Sequence, residues 1–290
     1  MLQSINEKEF TLIRDYITGI SGIVISPEKA YLIETRLTKL MLDYGAETFH
    51  EFHKKVLINS GIDVAQKVID AITINETFWF RDASLWKCFE QEVLPGLIKE
   101  ITSGRKEKVR IWSAAVSTGQ EAYSIAMCID NYLVQKKIKD VKLSDFEIVA
   151  TDISNRVLGI AGLGRYDKIS MTRGISGYYK ARYFESNGSV WDIDPEIKSA
   201  VRFRRLDLRS NYKVIGEFDV IFCRYVLIYF PNDLKKRIAS KMHKALNEGG
   251  VLFTGNYVVY DLFRDNYNVK TFENITYYSK IIDKEKENGY

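Results

Sequence analysis

From Val109 onward the chain alternates short apolar runs with helix-length amphipathic spacers, and this alternation limits the fold more than any other feature. Val109 to Ala115 (VRIWSAA) reads as a first strand, Phe146 to Thr151 (FEIVAT) as a second, Val201 to Leu206 as a third and Phe218 to Cys223 (FDVIFC) as a fourth. Between the first two lies a helix with Ala122, Ile125, Ala126, Ile129 and Leu133 on one face. After the fourth, Asn232 or Asp233 caps a helix carrying Leu234, Ile238, Met242 and Leu246, which ends at Gly249-Gly250. Val251 to Thr254 forms a fifth strand, and Val269 to Ile281 one or two closing strands. Strands separated by spacers of helix length imply an α/β fold, a parallel sheet with helices on both faces. Tyr166 to Ser199 breaks the rhythm and is too long for a simple loop. It reads as an insert, with a short hairpin over Tyr183 to Val190.

The first 72 residues carry no strand pattern. Phe10, Ile13 and Ile17 recur at helical spacing up to Gly19 and Gly22. Pro27 marks a second helix start, with Ile33, Leu37, Leu40, Met41 and Tyr44 as its apolar stripe, and two shorter helices cover Thr48 to Leu57 and Asp63 to Ile72. The expected organisation is therefore an all-helical N-terminal domain (1–72) and an α/β domain (73–290) with an insert at about 166–200. At the start of the second domain, Ser84 is the expected N-cap of a helix carrying Leu85, Trp86, Phe89 and Val93 and stopped around Pro95.

Composition excludes several classes. With 46% hydrophobic and 28% charged residues the chain is neither disordered nor collagenous, and a net charge of +4 does not point to nucleic acid. Cys88, Cys128 and Cys223 lie far apart, which argues against a disulfide framework or a cysteine zinc site. His50 and His53 share a helix face but have no third ligand nearby, so no metal site is expected. The opening MLQSINEKEF lacks a basic segment followed by an apolar one, and the apolar stretch Val220 to Phe230 is interrupted by Arg224. The expectation is a cytoplasmic protein without membrane insertion, its charged end Asp283 to Tyr290 frayed.

In an open parallel sheet, ligands bind at the carboxyl ends of the strands, near the reversal of strand order. After the first strand comes Ala114-Ala115-Val116-Ser117-Thr118-Gly119-Gln120-Glu121, whose small residues let a ligand approach the backbone. A single glycine is a weak phosphate signal, which disfavours a dinucleotide. Asp152 ends the second strand. It either accepts both hydroxyls of a ribose or caps a turn beginning at Ser154, and position alone leaves both readings open. An acidic second strand without a glycine run fits a nucleoside that lacks pyrophosphate.

The segment VRIWSAAVSTGQEAYS (Val109 to Ser124) resembles the first motif of the CheR-type chemotaxis methyltransferases. Asn75 to Asp82 (NETFWFRD) resembles the family's N-x-T-x-F-F-R segment, Ala150-Thr151-Asp152-Ile153 its second-strand motif, and Phe218 to Phe230 (FDVIFCRYVLIYF) its fourth-strand motif. Gly22-Ile23, Lys29, Leu32 and Arg36-Leu37 are similar to its helical domain, so the resemblance runs in order over nearly the whole chain. It implies a Rossmann-like class I methyltransferase sheet with a small antiparallel β insert, preceded by the helical domain. It also implies methyl transfer from S-adenosylmethionine to glutamate side chains of chemoreceptors, leaving S-adenosylhomocysteine.

Carried over residue by residue, the resemblance makes Asn75, Thr77, Arg81, Glu121, Asp152, Asp207, Leu208, Cys223 and Arg224 cofactor-binding, with Asp152 on the ribose and Asp207-Leu208 beside the adenine. Arg81 and Tyr229 fall at the reacting methyl. Three positions depart from the family pattern: Tyr225 and Asp207 stand where Asn is usual, and Ala122 where Pro is frequent. Tyr225 is the departure that could crowd the pocket. Taken alone, Arg81 after three aromatics reads as a surface residue with a buried stem, and Tyr229 as core.

A glutamate carboxylate, with a reference pKa of about 4.3, is already ionised at neutral pH and needs no general base. Positioning and desolvation are then the main tasks, and no Ser-His-Asp or Cys-His set is required. Lys29, Arg36 and Lys39 lie on roughly one side of the second helix, either as a solvated face or as a patch that docks the acidic receptor helical bundle. Arg202, Arg204, Arg205 and Arg209 fit an exposed strand face better than nucleic acid. The short insert hairpin predicts weak or absent binding of a receptor C-terminal pentapeptide, and the expected state is a monomer. The alternatives are a catalytically silent cofactor-binding module, or a methyltransferase acting on RNA or a small molecule.

Overall fold

The structure, a computed structural model, describes residues 4–58, 62–255, 260–263 and 266–282. The charged end 283–290 lies outside them. The N-terminal part holds four helices: α1 (Glu7–Ser21), α2 (Ala30–Asp43), α3 (Phe49–Ile58) and α4 (Ile62–Ile72). Asn6 and Glu9 form a capping box at the start of α1: Glu9 N–H donates to Asn6 Oδ1 at 3.0 Å and Asn6 N–H to Glu9 Oε2 at 3.2 Å. Gly22 ends the helix in the left-handed conformation (φ 77°). A 3-10 turn, Pro27–Lys29, leads into α2. Ile13, Ile17, Ile33, Leu37, Met41, Phe52, Val56 and Val68 pack into a core of their own, so the helical spacing read from the sequence marks the buried faces.

The next helix departs from expectation. α5 (Ala83–Cys88) continues through a π-helical segment, Phe89–Val93, directly into α6 (Leu94–Thr102). Asp82, in the left-handed region (φ 66°), is its N-cap, so Ser84 lies in the first turn. Pro95 does not stop the helix. It falls in the first turn of α6, where the wide π turn leaves no N–H bond for it to remove.

The main sheet contains β1 (Val109–Ala114), β2 (Phe146–Asp152), β6 (Val201–Arg205), β7 (Phe218–Phe222) and β8 (Leu246–Phe253), all parallel, with β9 (Tyr267–Phe272) and β10 (Ile275–Lys280) antiparallel at one edge. The order is β6-β2-β1-β7-β8-β10-β9. The crossover helices are α7 (Gln120–Gln135), α8 (Asn155–Leu163) and α11 (Asn232–Ala245). Alternate residues face opposite layers: Ile111, Val220 and Phe222 pack with α7, and Trp112, Ile221 and Cys223 with α11. The insert carries β3 (Arg165–Asp167), α9 (Gly177–Tyr183), β4 (Phe184–Asn187), β5 (Val190–Ile193) and α10 (Pro195–Ser199), with its strands in a separate antiparallel sheet ordered β3-β5-β4.

The end of α11 also differs from the reading above. Pro231 is its N-cap, which puts Asn232 and Asp233 inside the first turn, where an acidic side chain suits the helix dipole. The helix stops at Ala245, not at Gly249-Gly250. Those glycines lie within β8, whose pairing with β7 shifts register between Phe218 and Val220, and Gly249 takes a φ of 70° there.

Candidate active site

Strand order reverses between β1 and β7, and a cleft of about 280 Å³ opens at their carboxyl ends. Both parts of the chain line it: Ile23, Val24 and Lys29 precede α2, while Asn75, Thr77, Arg81, Ser117, Glu121, Asp152, Asp207, Leu208, Arg224, Tyr225 and Tyr229 come from the sheet part.

The turn after β1 is strained. Ala115 (φ 60°) and Ser117 (φ 55°) occupy the left-handed region without being glycine. The Asp152 carboxylate fixes this turn. Ser117 N–H donates to Oδ2 at 2.9 Å and Ser154 N–H to Oδ1 at 3.0 Å. Asp152 thus bridges two loops while lining the cleft, and the turn-capping reading holds. Only 7% of it is exposed, and burial pushes its pKa above 3.8 against the opposing pull of these donors. Gly119 has a packing reason: a Cβ there would lie 2.9 Å from Ala161 Cβ and 3.0 Å from the Tyr166 hydroxyl. The loop must pass close to α8 and β3.

Glu121, in the first turn of α7, accepts from Ser113 Oγ at Oε1 and from Arg224 Nη1 at Oε2, both at 2.7 Å. Arg224 Nη2 donates to the Arg81 carbonyl at 2.7 Å and to Asp82 Oδ2 at 2.6 Å. The Arg224 side chain is 2% exposed, so a buried cation is held between two carboxylates.

The segment from Asn75 to Asp82 crosses the mouth of the cleft. Ser117 Oγ donates to the Asn75 carbonyl at 3.1 Å, Phe80 N–H to Ser124 Oγ at 3.1 Å, and Trp79 Nε1 to the Ser170 carbonyl at 3.0 Å. Arg81 then stands over aromatic faces, its Cζ 3.9 Å from the Tyr225 ring centroid and 5.4 Å from that of Phe78. Its Nη1 donates to the Glu76 carbonyl at 3.2 Å, and among the described residues it forms no ion pair. Burial raises the Tyr229 phenol above its ordinary 10.0, with Arg81 and Arg36 opposing the shift. It therefore keeps its proton at neutral pH. The Tyr229 carbonyl accepts from Val24 N–H at 3.0 Å and joins the two parts of the chain at the cleft.

Asp207 lines the cleft and pairs with Arg209, whose Nη2 donates to Oδ2 at 2.7 Å. Arg209 Nη1 donates to the Gly19 carbonyl at 2.7 Å and Nη2 to that of Ile20, at the end of α1. Leu208 is buried beside it. Cys223 does not reach the cleft. It follows β7 on the face packed against α11, is fully buried there, and its thiol is pushed up by burial. The next residue, Arg224, takes the cleft side.

The basic residues of the N-terminal part divide. Lys29 and Lys39 are exposed. Arg36 is half-buried, and its Nη1 donates to the carbonyls of Ile72 (3.3 Å) and Thr73 (2.7 Å), which steadies the chain just before Asn75. The sequence reading missed Ser113, Ser117 and Asp82. The run of small residues after β1 was a signal for Ser117, but the left-handed backbone at Asp82 (φ 66°) and Tyr225 (φ 56°) leaves no mark in the sequence.

Comparisons with known proteins agree with this arrangement. Residues 8–73 match the family model described as CheR methyltransferase, all-alpha domain, and residues 75–276 match CheR methyltransferase, SAM binding domain. Chemotaxis protein methyltransferase 1 of Pseudomonas aeruginosa is 39% identical over 262 residues, 90% of this chain and 93% of that protein. Chemotaxis protein methyltransferase Cher2 of Pseudomonas putida is 36% identical over 90% of this chain and 94% of its own length. Among the described residues no helix is long and apolar enough to cross a membrane.

Proposed function

The chain belongs to the CheR methyltransferase family and is an S-adenosylmethionine-dependent methyltransferase, and from that premise we propose that it esterifies glutamate side chains of chemoreceptors in the cytoplasm, acting as a monomer. The observation that carries this reading is Arg81, a half-buried guanidinium at the cleft mouth with no carboxylate partner among the described residues. An acceptor carboxylate is the group that it suits.

The cleft residues fit the cofactor. Asp152 is buried, acidic and cleft-facing, as a ribose diol requires, while Leu206, Leu208 and Val226 offer an apolar slot for a base. Asn75, Thr77 and Glu121 would hold the amino-acid end, with Arg224 anchoring Glu121. When bound, S-adenosylmethionine supplies a methyl group on a positively charged sulfur.

The protein's own part is placement. Arg81 orients the acceptor carboxylate, and its stacked setting leaves N–H groups for that contact. A permanent clamp would blunt the nucleophile, so Arg81 steers. Tyr229, protonated, provides a hydroxyl donor at the same end. The Asn75–Asp82 segment and Val24 exclude water from the reacting groups. No side chain has to remove a proton, because the acceptor is already ionised.

Lys29 and Lys39 are the cations we assign to docking the acidic receptor bundle, and Arg36 holds the domain junction. The β4–β5 hairpin turns at Gly188-Ser189 and is short, which supports weak or absent capture of a receptor C-terminal pentapeptide. Submicromolar binding of that peptide in calorimetry would contradict this.

The decisive experiment uses tritiated S-adenosylmethionine, the purified protein and receptor-containing membranes from the same cell. Base-labile label on the receptor, lost in Arg81→Ala, supports glutamate esterification and the role of Arg81. Cofactor binding without label on the receptor would favour the silent module or another acceptor. RNA as that acceptor would reveal itself by steeply salt-dependent binding.

A further inference from the structure

We propose that Tyr225, which stands where the family usually has Asn, is the positioning residue for Arg81: its ring is the platform that holds the guanidinium at the cleft mouth with its Nε–Nη2 edge open to an acceptor carboxylate. The inference rests on the glutamate reading above and assigns a specific device to it.

Three observations converge. The first is proximity, since Arg81 Cζ lies 3.9 Å from the Tyr225 ring centroid, with Phe78 as a second and more distant face at 5.4 Å. The second is that the ring is itself anchored. Its hydroxyl donates to Asp82 Oδ2 at 2.6 Å, and the same oxygen receives Arg224 Nη2 at 2.6 Å. The platform is therefore tied to the buried charged cluster behind the cleft. The third is the backbone. Tyr225 has a φ of 56°, a conformation that Gly and Asn adopt far more readily than an aromatic residue. Gly255 (φ 76°) makes room for it, because a Cβ there would sit 3.0 Å from Tyr225 Cε2. A large residue kept in a strained conformation must be held by its side-chain contacts, and Arg81, Asp82, Gly255 and, at 5.6 Å from the ring centroid, Arg224 are among them.

The chemical consequence follows from what kind of partner Arg81 has. A carboxylate partner would occupy the N–H edge and cancel the charge. An aromatic face attracts the cation through its quadrupole, and with Nη1 donating to the Glu76 carbonyl the Nε–Nη2 edge carries no hydrogen bond among the described residues. Arg81 is thus fixed in place and still able to form two parallel hydrogen bonds with an incoming carboxylate. The opposing view, that Tyr225 merely crowds the pocket, predicts the reverse behaviour on substitution, so the two are separable.

The test compares Tyr225→Asn and Tyr225→Phe, each with and without Arg81→Ala. Asn is suited to this backbone conformation, so the fold should be kept. Tyr225→Asn should lower kcat/KM for the receptor by between about three- and thirtyfold, the range a partly buried cation–π contact supports, while cofactor affinity in calorimetry stays within about twofold. Tyr225→Phe, which retains the ring, should recover most of that loss. In the Arg81→Ala background neither change should have further effect, because Tyr225 acts through Arg81. A second readout needs no acceptor: modification of Arg81 by phenylglyoxal, followed by mass spectrometry, should quicken severalfold in Tyr225→Asn and little in Tyr225→Phe. Equal modification rates in all three proteins would overturn the proposal, and so would unchanged or higher turnover in Tyr225→Asn. If Arg81 reactivity responds as stated but the wild-type protein does not label receptor, the platform stands and the glutamate reading falls.

Discussion

Arg224 Nη1 donates to Glu121 Oε2 at 2.7 Å across 103 residues of sequence, and so ties the start of α7 to the loop after β7 at the point where strand order reverses. Its Nη2 reaches Asp82 as well, so one buried cation neutralises carboxylates from two other segments. Removing it strands both. Arg224→Leu should destabilise the protein by about 3–5 kcal/mol in urea unfolding, as loss of one partner from a buried pair does. Arg224→Lys keeps the charge but cannot fork to both acids, and should lose less. A loss under about 1 kcal/mol for Arg224→Leu would mean that water reaches and solvates the two acids.

If Asp152 holds the ribose as proposed, cofactor binding acquires a pH dependence. Burial raises its pKa above 3.8. For an acid raised in the folded state, the contribution to stability is fully present below the unfolded pKa and is lost as pH rises through the folded one. At neutral pH the folded protein therefore carries an ionised carboxylate at a cost to stability. Ligand binding runs the other way, because a diol is held by the ionised form. S-adenosylmethionine affinity measured by calorimetry should fall as pH is lowered, with a midpoint above that of an ordinary aspartate. Asp152→Asn should bind weakly at every pH and lack this dependence. The same acid limb in Asp152→Asn would assign the titration to another group.

The parallel strands and helices α1 to α4 were legible because burial imposes periods of two and of 3.6 residues, and those periods survive in the sequence. Helix ends were less so. Ser84 looks like an N-cap, yet Asp82 holds that place through a left-handed backbone that composition does not announce. Pro95 looks like a stop, yet a π turn absorbs it. Within the site, Glu121, Asp152, Asp207 and Arg224 converge on one cleft, whereas Cys223 faces the α11 layer. Strand alternation contains that answer, since adjacent residues at a strand end point to opposite sides, but a motif read as a block hides it. The pairing of Arg81 with Tyr225 joins residues far apart in the chain and could come only from the fold.

Gly174 and Gly177 belong to the same insert and should respond oppositely to Ala. A Cβ on Gly174 (φ 82°) would lie 1.7 Å from the Trp79 carbonyl oxygen, so the loop and the Asn75–Asp82 segment cannot keep their places together. Gly174→Ala should cost more than about 2 kcal/mol and lower kcat with it. Gly177 opens α9 with nothing within 4 Å of the added carbon. Gly177→Ala should be neutral or stabilising by up to about 1 kcal/mol, since Ala loses less backbone entropy in a helix. Thermal unfolding and initial rates on the pair would check both. Similar losses at the two positions would show that the insert loop does not pack as described.

Arg209 couples the helical part to the cleft. It pairs with Asp207 and donates to the Gly19 and Ile20 carbonyls at the end of α1, where Gly22 allows close approach because a Cβ there would meet Leu234 at 2.7 Å and Arg209 at 3.0 Å. Arg209→Ala removes both carbonyl contacts and leaves Asp207 without its cation. The expected loss is about 1–3 kcal/mol of stability, the worth of charge-assisted hydrogen bonds, together with a severalfold weaker S-adenosylmethionine affinity. Asp207→Asn should be milder, since Asn Oδ1 can still accept from Arg209 N–H, which now donates to Asp207 Oδ1 at 2.8 Å. Calorimetry on the two variants separates the roles. If Arg209→Ala binds cofactor as tightly as the wild type, the tether contributes to domain docking alone. If Asp207→Asn proves the weaker binder, the carboxylate itself, and not its partner, is what the cofactor site requires.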